Sequence, residues 1–344
     1  MIEKYFIRHE LTLKRYRQFK KRKTAMISFW VLACLLFFSA TAELWANSKP
    51  ILMKYHGRWM APVFFDYHPK EFGREDIFVM DYRSLEFKDS DWAIWPVVQW
   101  NPLESNSFVE SYPSAPTRFN IMGTDDRGRD VFARLLYGFR YSIGFALGVW
   151  ILTYIVGTIL GAISGYWGGR IDMILGRVVE VIEMTPRTLL LITMLSIFSP
   201  GILFLIIFSA IFDWSGIFYQ MRAQFLQLRK REYVDAAKAL GASHWRIIRR
   251  HIFPNALTPL VTFSPFNIAA NISYLAILDY LGLGLRAPTP SWGELIEQGQ
   301  KHITTSEWLV WYPCLSLLIA MVALVNIGLA VRDAFDSRSA VEAK

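Results

Sequence analysis

Glu180 and Glu183 stand three residues apart, so a helix through them would carry both carboxylates on one face, an arrangement suited to general acid–base chemistry. They are the main such pair in the chain, and no nucleophile motif accompanies them. G-x-S-x-G is absent, and so is the G-x-x-x-x-G-K-[ST] loop that cradles nucleotide phosphates. The six histidines, His9, His56, His68, His244, His251 and His302, form no i, i+4 pair and no H-E-x-x-H. Cys34 and Cys314 lie in apolar runs without metal-ligand spacing, and the expectation for both is a small buried hydrophobe. An enzyme is therefore disfavoured, and a membrane-bound hydrolase remains only as a rival. Arg187 follows Glu183 at i+4 and is expected to pair with it, while Pro186 between them is expected to kink the helix.

The elements that would position these residues are membrane spans. The 344 residues are 53% hydrophobic, with a mean hydropathy of +0.26. The 13 tryptophans suit a protein that must anchor at two lipid–water interfaces. A helix needs about 20 apolar residues to cross a bilayer, and six runs qualify: 24–46, 141–164, 173–199, 202–219, 257–281 and 308–331. The first also resembles a signal peptide, but its apolar run is longer than the usual core of such a peptide, so an uncleaved span is expected. A carboxylate inside a span is a coupling-site candidate, which makes an ion-driven secondary carrier using Glu183 a second rival.

Charge sets the expected topology. The net charge is +8, concentrated in 1–23, with nine basic and two acidic residues, and in 220–256, with eight and two. The block 47–140 is nearly balanced, with twelve basic and thirteen acidic residues. The positive-inside rule explains this pattern without nucleic acid. It places the tail 1–23, the loop 220–256 and the tail 332–344 in the cytoplasm, and 47–140 and 282–307 outside. The outer block 47–140 reads as a compact elaboration, with a strand-like patch at 76–80. Gly157, Gly161 and Gly165, at intervals of four, form a small-residue ridge for close helix packing.

The loop 220–256 is the most informative segment. Glu232 and Asp235 suit the first turn of a helix, and Ala236, Ala237 and Ala239 favour its continuation. Gly241 fits a left-handed stop. Ser243 can cap a second short helix, and Pro254 is expected to end it. Such a helix–turn–helix is either a docking surface or an amphipathic pair lying on headgroups, and local physics leaves both open.

The spacing Asp235-Ala236-Ala237, Gly241 and Pro254 resembles the EAA loop of permease subunits of ABC importers, with Asp in the usual Glu position. Further blocks resemble the dipeptide/oligopeptide C-type branch of that family. They are Gly123-Thr124-Asp125 with Gly128-Arg129-Asp130-Val131 and Arg134-Leu135-Leu136-Tyr137-Gly138, the turn from Gly165 to Asp172, Arg177 with Glu180 and Pro186, and Leu281-Gly282-Leu283-Gly284 followed by Pro288 to Glu294. Lys49-Pro50-Ile51-Leu52 and Leu278-Asp279-Tyr280-Leu281 resemble the subgroup associated with peptides and microcin C.

The resemblance implies an all-α integral membrane fold: a six-helix type I ABC importer bundle with an extracytoplasmic insertion between helices 1 and 2, in the bacterial cytoplasmic membrane. It implies a non-enzymatic permease that forms half of a peptide translocation path. Its partners would be a second permease subunit, an ATPase subunit and an extracytoplasmic solute-binding protein. It would hold no cofactor itself, ATP being used by the ATPase. Tyr233, Asp235, Ala236, Ala237, Gly241 and Pro254 would form the ATPase-coupling loop. Glu183, with Ser264, Asn267 and Asn271 on one face of the fifth span, are candidates for the translocation path, and interhelical hydrogen bonding is the equal alternative for the last three. Trp292 is expected to anchor the outer loop 282–307 where the binding protein docks.

Overall fold

The computed structural model describes residues 10–74, 77–88, 91–198 and 201–335. The expectations for 1–9, 199–200 and 336–344 lie outside the described residues. The chain divides into two compact units. The first comprises the described parts of Met1–Leu32, Ile143–Leu275 and Ala320–Lys344, and the second Ala33–Ser142 and Ala276–Ile319.

In chain order the helices are α1 (Glu10–Lys21), α2 (Lys23–Ala40), α3 (Ala42–Trp45), α4 (Val131–Trp167), α5 (Gly169–Met184), α6 (Arg187–Ile197), α7 (Ile202–Leu228), α8 (Glu232–Ala239), α9 (His244–Ile247), α10 (Phe253–Tyr280), α11 (Trp292–Lys301) and α12 (Trp308–Phe335). Among the described residues, five helical stretches are long and apolar enough to cross a membrane: α2, α4, α7, the continuous run His244–Tyr280, and α12. The span expected at 173–199 is instead two helices, α5 and α6, separated at Thr185 and Pro186. Proline has no N–H to donate to the carbonyl one turn back, so the kink expected there becomes a break.

Two boundaries move, the first for an electrostatic reason. α4 starts at Val131, ten residues before the expected 141. Arg134 and Arg140 place two charges in its first turns, and both are neutralised locally. Arg134 Nη2 pairs with Glu294, and Arg140 makes a 2.7 Å pair with Glu43 and donates to the Ser39 carbonyl. α7 runs on to Leu228, so the loop 220–256 begins inside a helix. Pro254 does not end a helix as expected. The stretch Ile248–Ile252 is wound as a π-turn, and the Phe253 N–H reaches back five residues to the Ile248 carbonyl. This wider turn accommodates a proline whose missing N–H would otherwise orphan the carbonyl of Arg250.

In the first unit the glycine ridge of α4 packs on α7. A Cβ on Gly157 would lie 2.7 Å from the Trp214 carbonyl, one on Gly161 2.5 Å from that of Phe218, and one on Gly165 2.6 Å from that of Arg222. Backbone thus meets backbone where only glycine fits.

In the second unit the block 47–140 adds a small sheet to the otherwise helical fold. Strands β1 (Leu52–Tyr55), β2 (Arg58–Met60) and β3 (Trp92–Ile94) are antiparallel in the order β2-β1-β3. Met53, Met60, Phe72, Tyr82 and Leu85 form the buried cluster of this elaboration. Residues 77–80 of the expected strand-like patch are not strand, and 75–76 lie outside the described residues. Cys34 is exposed and Cys314 half-buried, so neither is the buried hydrophobe expected. Both sit on helices long and apolar enough to cross a membrane.

Candidate functional site

In the loop 220–256, α8 is amphipathic in a specific sense. Val234 and Ala237 are buried in a cluster with Tyr166, Ile217, Met221 and Phe225. That seals one face of α8 onto α4 and α7. The remaining surface of α8 carries Tyr233 and Ala236, with Leu240 just beyond its end, all exposed, Leu240 89% accessible. Trp245, on α9, is 68% accessible. Asp235 is exposed and pairs with Lys238 at 2.9 Å.

The turn between the two helices is built as the sequence predicts. Gly241 has φ +77°, its N–H donates to the Lys238 carbonyl at 2.9 Å, and the Ala242 N–H donates to the Ala237 carbonyl at 3.0 Å. These bonds satisfy the last carbonyls of α8. The Ser243 hydroxyl accepts from the Arg246 N–H.

The Gly165-to-Asp172 turn supports this loop from beneath. The Tyr166 hydroxyl lies 2.7 Å from His244 Nδ1, and Arg229 Nη1 donates to the Tyr166 carbonyl at 2.9 Å. Asp172 accepts a bidentate pair from Arg222, at 2.5 and 2.7 Å, and a bond from the Ser164 hydroxyl. Those hydrogen bonds, Arg222's first, hold the Asp172 carboxyl below its ordinary range despite partial burial. The exposed face of α8 is thus presented by a rigid, ion-paired base.

The polar residues of the spans fall into two groups. Asn267 Nδ2 donates to the Tyr154 hydroxyl at 2.8 Å, Asn271 Nδ2 to the Ala146 carbonyl at 3.4 Å, and the Ser264 hydroxyl to the Leu260 carbonyl of its own helix. Both asparagines therefore bond across to α4, as helix–helix packing requires. The second group corrects an expectation. Glu183 does not pair with Arg187, because the break at Thr185–Pro186 takes the two out of i, i+4 register. Glu183 instead accepts from the Tyr219 hydroxyl at 3.4 Å. Arg187 pairs with Asp213 of α7 at 2.5 Å and lies 4.7 Å from the Tyr274 ring centroid. Sequence reasoning passed over Asp213, although a lone acid within an apolar run is itself a signal. Arg177 and Glu180 make a 2.6 Å pair with both side chains largely exposed, so Glu180 is not poised beside Glu183 as half of an acid–base pair.

In the second unit, Trp292 is 2% accessible, stacks on Phe139 at 5.3 Å, and donates its indole N–H to the Leu135 carbonyl at 2.9 Å. It packs the loop as expected. The charged residues of the 123–138 block form a buried network that sequence reasoning quoted without giving it a role. Arg129 pairs with Asp125 at 2.7 Å and with Glu294 at 3.1 Å, and Arg134 pairs with Glu294 and lies 3.4 Å from Asp125. Ser291 caps α11 by accepting from the Glu294 N–H. Asp130 accepts from the Ala133 N–H and from Asn120, yet its burial pushes the carboxyl up to about 6.

Spanning helices, an ion-paired helix–turn–helix with one open apolar face and the loop 282–307 anchored by Trp292 define a multi-pass membrane subunit built to work with other chains. The chain belongs to the family described as binding-protein-dependent transport system inner membrane component, whose model matches residues 157–341, and residues 14–69 match the N-terminal TM domain of oligopeptide transport permease C. It is an ABC importer permease, the non-catalytic membrane component of a system that works with an ATPase and a substrate-binding protein. The chain is 36% identical to the peptidoglycan transport system permease protein YejE of Agrobacterium fabrum, over 95% of this chain and 93% of that one. It is also 36% identical to the inner membrane ABC transporter permease protein YejE of Escherichia coli, over 95% and 97%. The dipeptide transport permease DppC of Alkalihalophilus pseudofirmus is 35% identical over 69% of this chain and 79% of its own length. Among solved structures, a chain of the MetNI methionine ABC transporter superposes with a TM-score of 0.50 at 17% identity, covering 60% of this chain and 97% of its own length, a likeness of fold. Membership of this family displaces the secondary-carrier and hydrolase readings.

Proposed function

We propose that this chain forms one half of a peptide translocation path, paired with a second, different permease subunit, and that its loop 220–256 docks the ATPase. The observation that carries the docking assignment is the split face of α8. Val234 and Ala237 anchor it, while Tyr233, Ala236 and Leu240 stand exposed beside Trp245. An apolar face of that size next to water has a partner to cover it. The small Ala236 side chain permits close approach. Peptides as cargo are supported by the names of the YejE and DppC relatives. The charge pattern supports cytoplasmic termini and a cytoplasmic loop 220–256. Trp292 and the buried charge network shape the outer loop on which the binding protein docks.

The test is co-purification of the chain with its partner subunits, followed by peptide uptake into proteoliposomes with ATP inside the appropriate compartment. A complex of this chain with a second permease and an ATPase, showing ATP-dependent peptide accumulation only when the binding protein is added, is the expected result. Uptake that continues without ATP or without the binding protein overturns the reading.

A further inference from the structure

Asp213 is the twelfth of the 27 residues of α7. At about 1.5 Å per residue it lies roughly 16 Å from the Ile202 end and roughly 22 Å from the Leu228 end, in the middle of a bilayer-length helix. Its carboxylate holds Arg187 Nη1 at 2.5 Å, and the Arg187 guanidinium rests on the ring of Tyr274 from α10. Three separate helices therefore fix one cation at mid-membrane depth.

The pairing is incomplete in two ways. The Arg187 side chain remains 42% accessible in the isolated chain. Its Nε and Nη2 donate to no acceptor among the described residues, although a guanidinium offers five donors in a planar fork. Glu183 does not complete it, because that carboxylate is bound by Tyr219, six residues further along α7. A half-open guanidinium at this depth cannot face acyl chains at low cost. It has to face water, a compensating anion or an acceptor of the second permease subunit, and the first two place it on the translocation path.

We propose that Arg187, positioned by Asp213 and Tyr274, is an anion-recognition point in the translocation path that takes the carboxylate of a passing peptide. This rests on the peptide-importer reading above. Asp213 neutralises the cation when no peptide is present, which keeps the resting cost low and the bound carboxylate readily released. Tyr274 covers one face of the guanidinium, so ligands approach in the plane of its free donors. The carboxylate comes either from the peptide C-terminus or from an acidic side chain, since both present the same two oxygens to the fork.

The test uses the whole complex with its unmodified binding protein, so each uptake is a ratio to wild type for the same peptide. Four probes are compared: a neutral peptide with a free C-terminus, its C-terminal amide, and both forms with one glutamate added. The variants are Arg187→Gln combined with Asp213→Asn, which removes both charges while keeping hydrogen-bonding groups, and Arg187→Lys, which keeps the ion pair but loses the fork. The expected result is about a tenfold loss of free-carboxylate uptake in the double variant, the fold-change of one charge-assisted hydrogen bond. Amide uptake should be unchanged and Arg187→Lys intermediate. If the glutamate-bearing amide falls with the acids, the side chain is the source; if it stays with the neutral amide, the C-terminus is. Equal loss for acids and amides in both variants, at normal complex levels, overturns the proposal. If the double variant fails to assemble, Arg187→Lys decides by the same acid-to-amide ratio. A wild-type complex that transports none of the probes would instead refute the importer reading.

Discussion

Replacing Gly241 by valine isolates backbone strain from packing, because a Cβ added there meets nothing within 4 Å. The position has φ +77° and is fixed by the bonds from the Gly241 and Ala242 N–H groups to Lys238 and Ala237. An L-residue in the left-handed region costs about 1–2 kcal/mol, and a β-branched one sits at the upper end. That is small against the burial of Val234 and Ala237, which holds α8 to its base. The protein should therefore fold and insert. Yet 1–2 kcal/mol reweights the turn against its alternatives by a factor of about 5–30. That reweighting lowers the fraction of time in which the exposed face of α8 is correctly aimed. ATPase activity stimulated by the binding protein, measured on the purified complex, should fall in Gly241→Val, by at most about that factor. Gly241→Asn should retain most of it, since asparagine tolerates the left-handed region. Wild-type stimulation in the valine variant would refute the reasoning, and so would an asparagine variant as impaired as valine.

Gly161→Leu, by contrast, forces a Cβ to 2.5 Å from the Phe218 carbonyl; overpacking of about 1–3 kcal/mol or more should reduce folded, membrane-inserted protein, read as a loss in fluorescence-detected size exclusion. Trp292→Ala removes a stacked, hydrogen-bonded indole at a cost of about 3–5 kcal/mol, lowering the melting temperature of the complex and its transport while the isolated binding protein keeps its ligand affinity. Asp130 supplies a pH test. Its carboxyl is raised from 3.8 to about 6 in the fold. A raised carboxyl contributes stability that is complete below its unfolded value and lost as pH rises through its folded value. The melting temperature should therefore fall between pH 4 and about 6.5 more steeply in wild type than in Asp130→Asn, and parallel curves would refute the assignment.

The features legible in the sequence are those set within a few residues. The Gly241 stop, the Ser243 cap and the Gly157–Gly161–Gly165 ridge depend on local backbone geometry and on spacing along one helix, so residue type and period were enough. Five of the six expected runs appear as spanning helices because length and hydropathy dominate in a bilayer. Ends and partners were another matter. α4 could begin at Val131 only because Arg134 finds Glu294, 160 residues away, and Arg140 finds Glu43, 97 residues away. Pro254 could be passed through only because a π-turn precedes it. The Glu183–Arg187 pairing was a sound local inference for an unbroken helix. The break at Pro186 released Arg187 to Asp213 and Tyr274, and no spacing rule along the chain contains that choice. A charge in a low-dielectric interior takes whichever opposite charge packing brings near, so its partner is decided by tertiary structure alone.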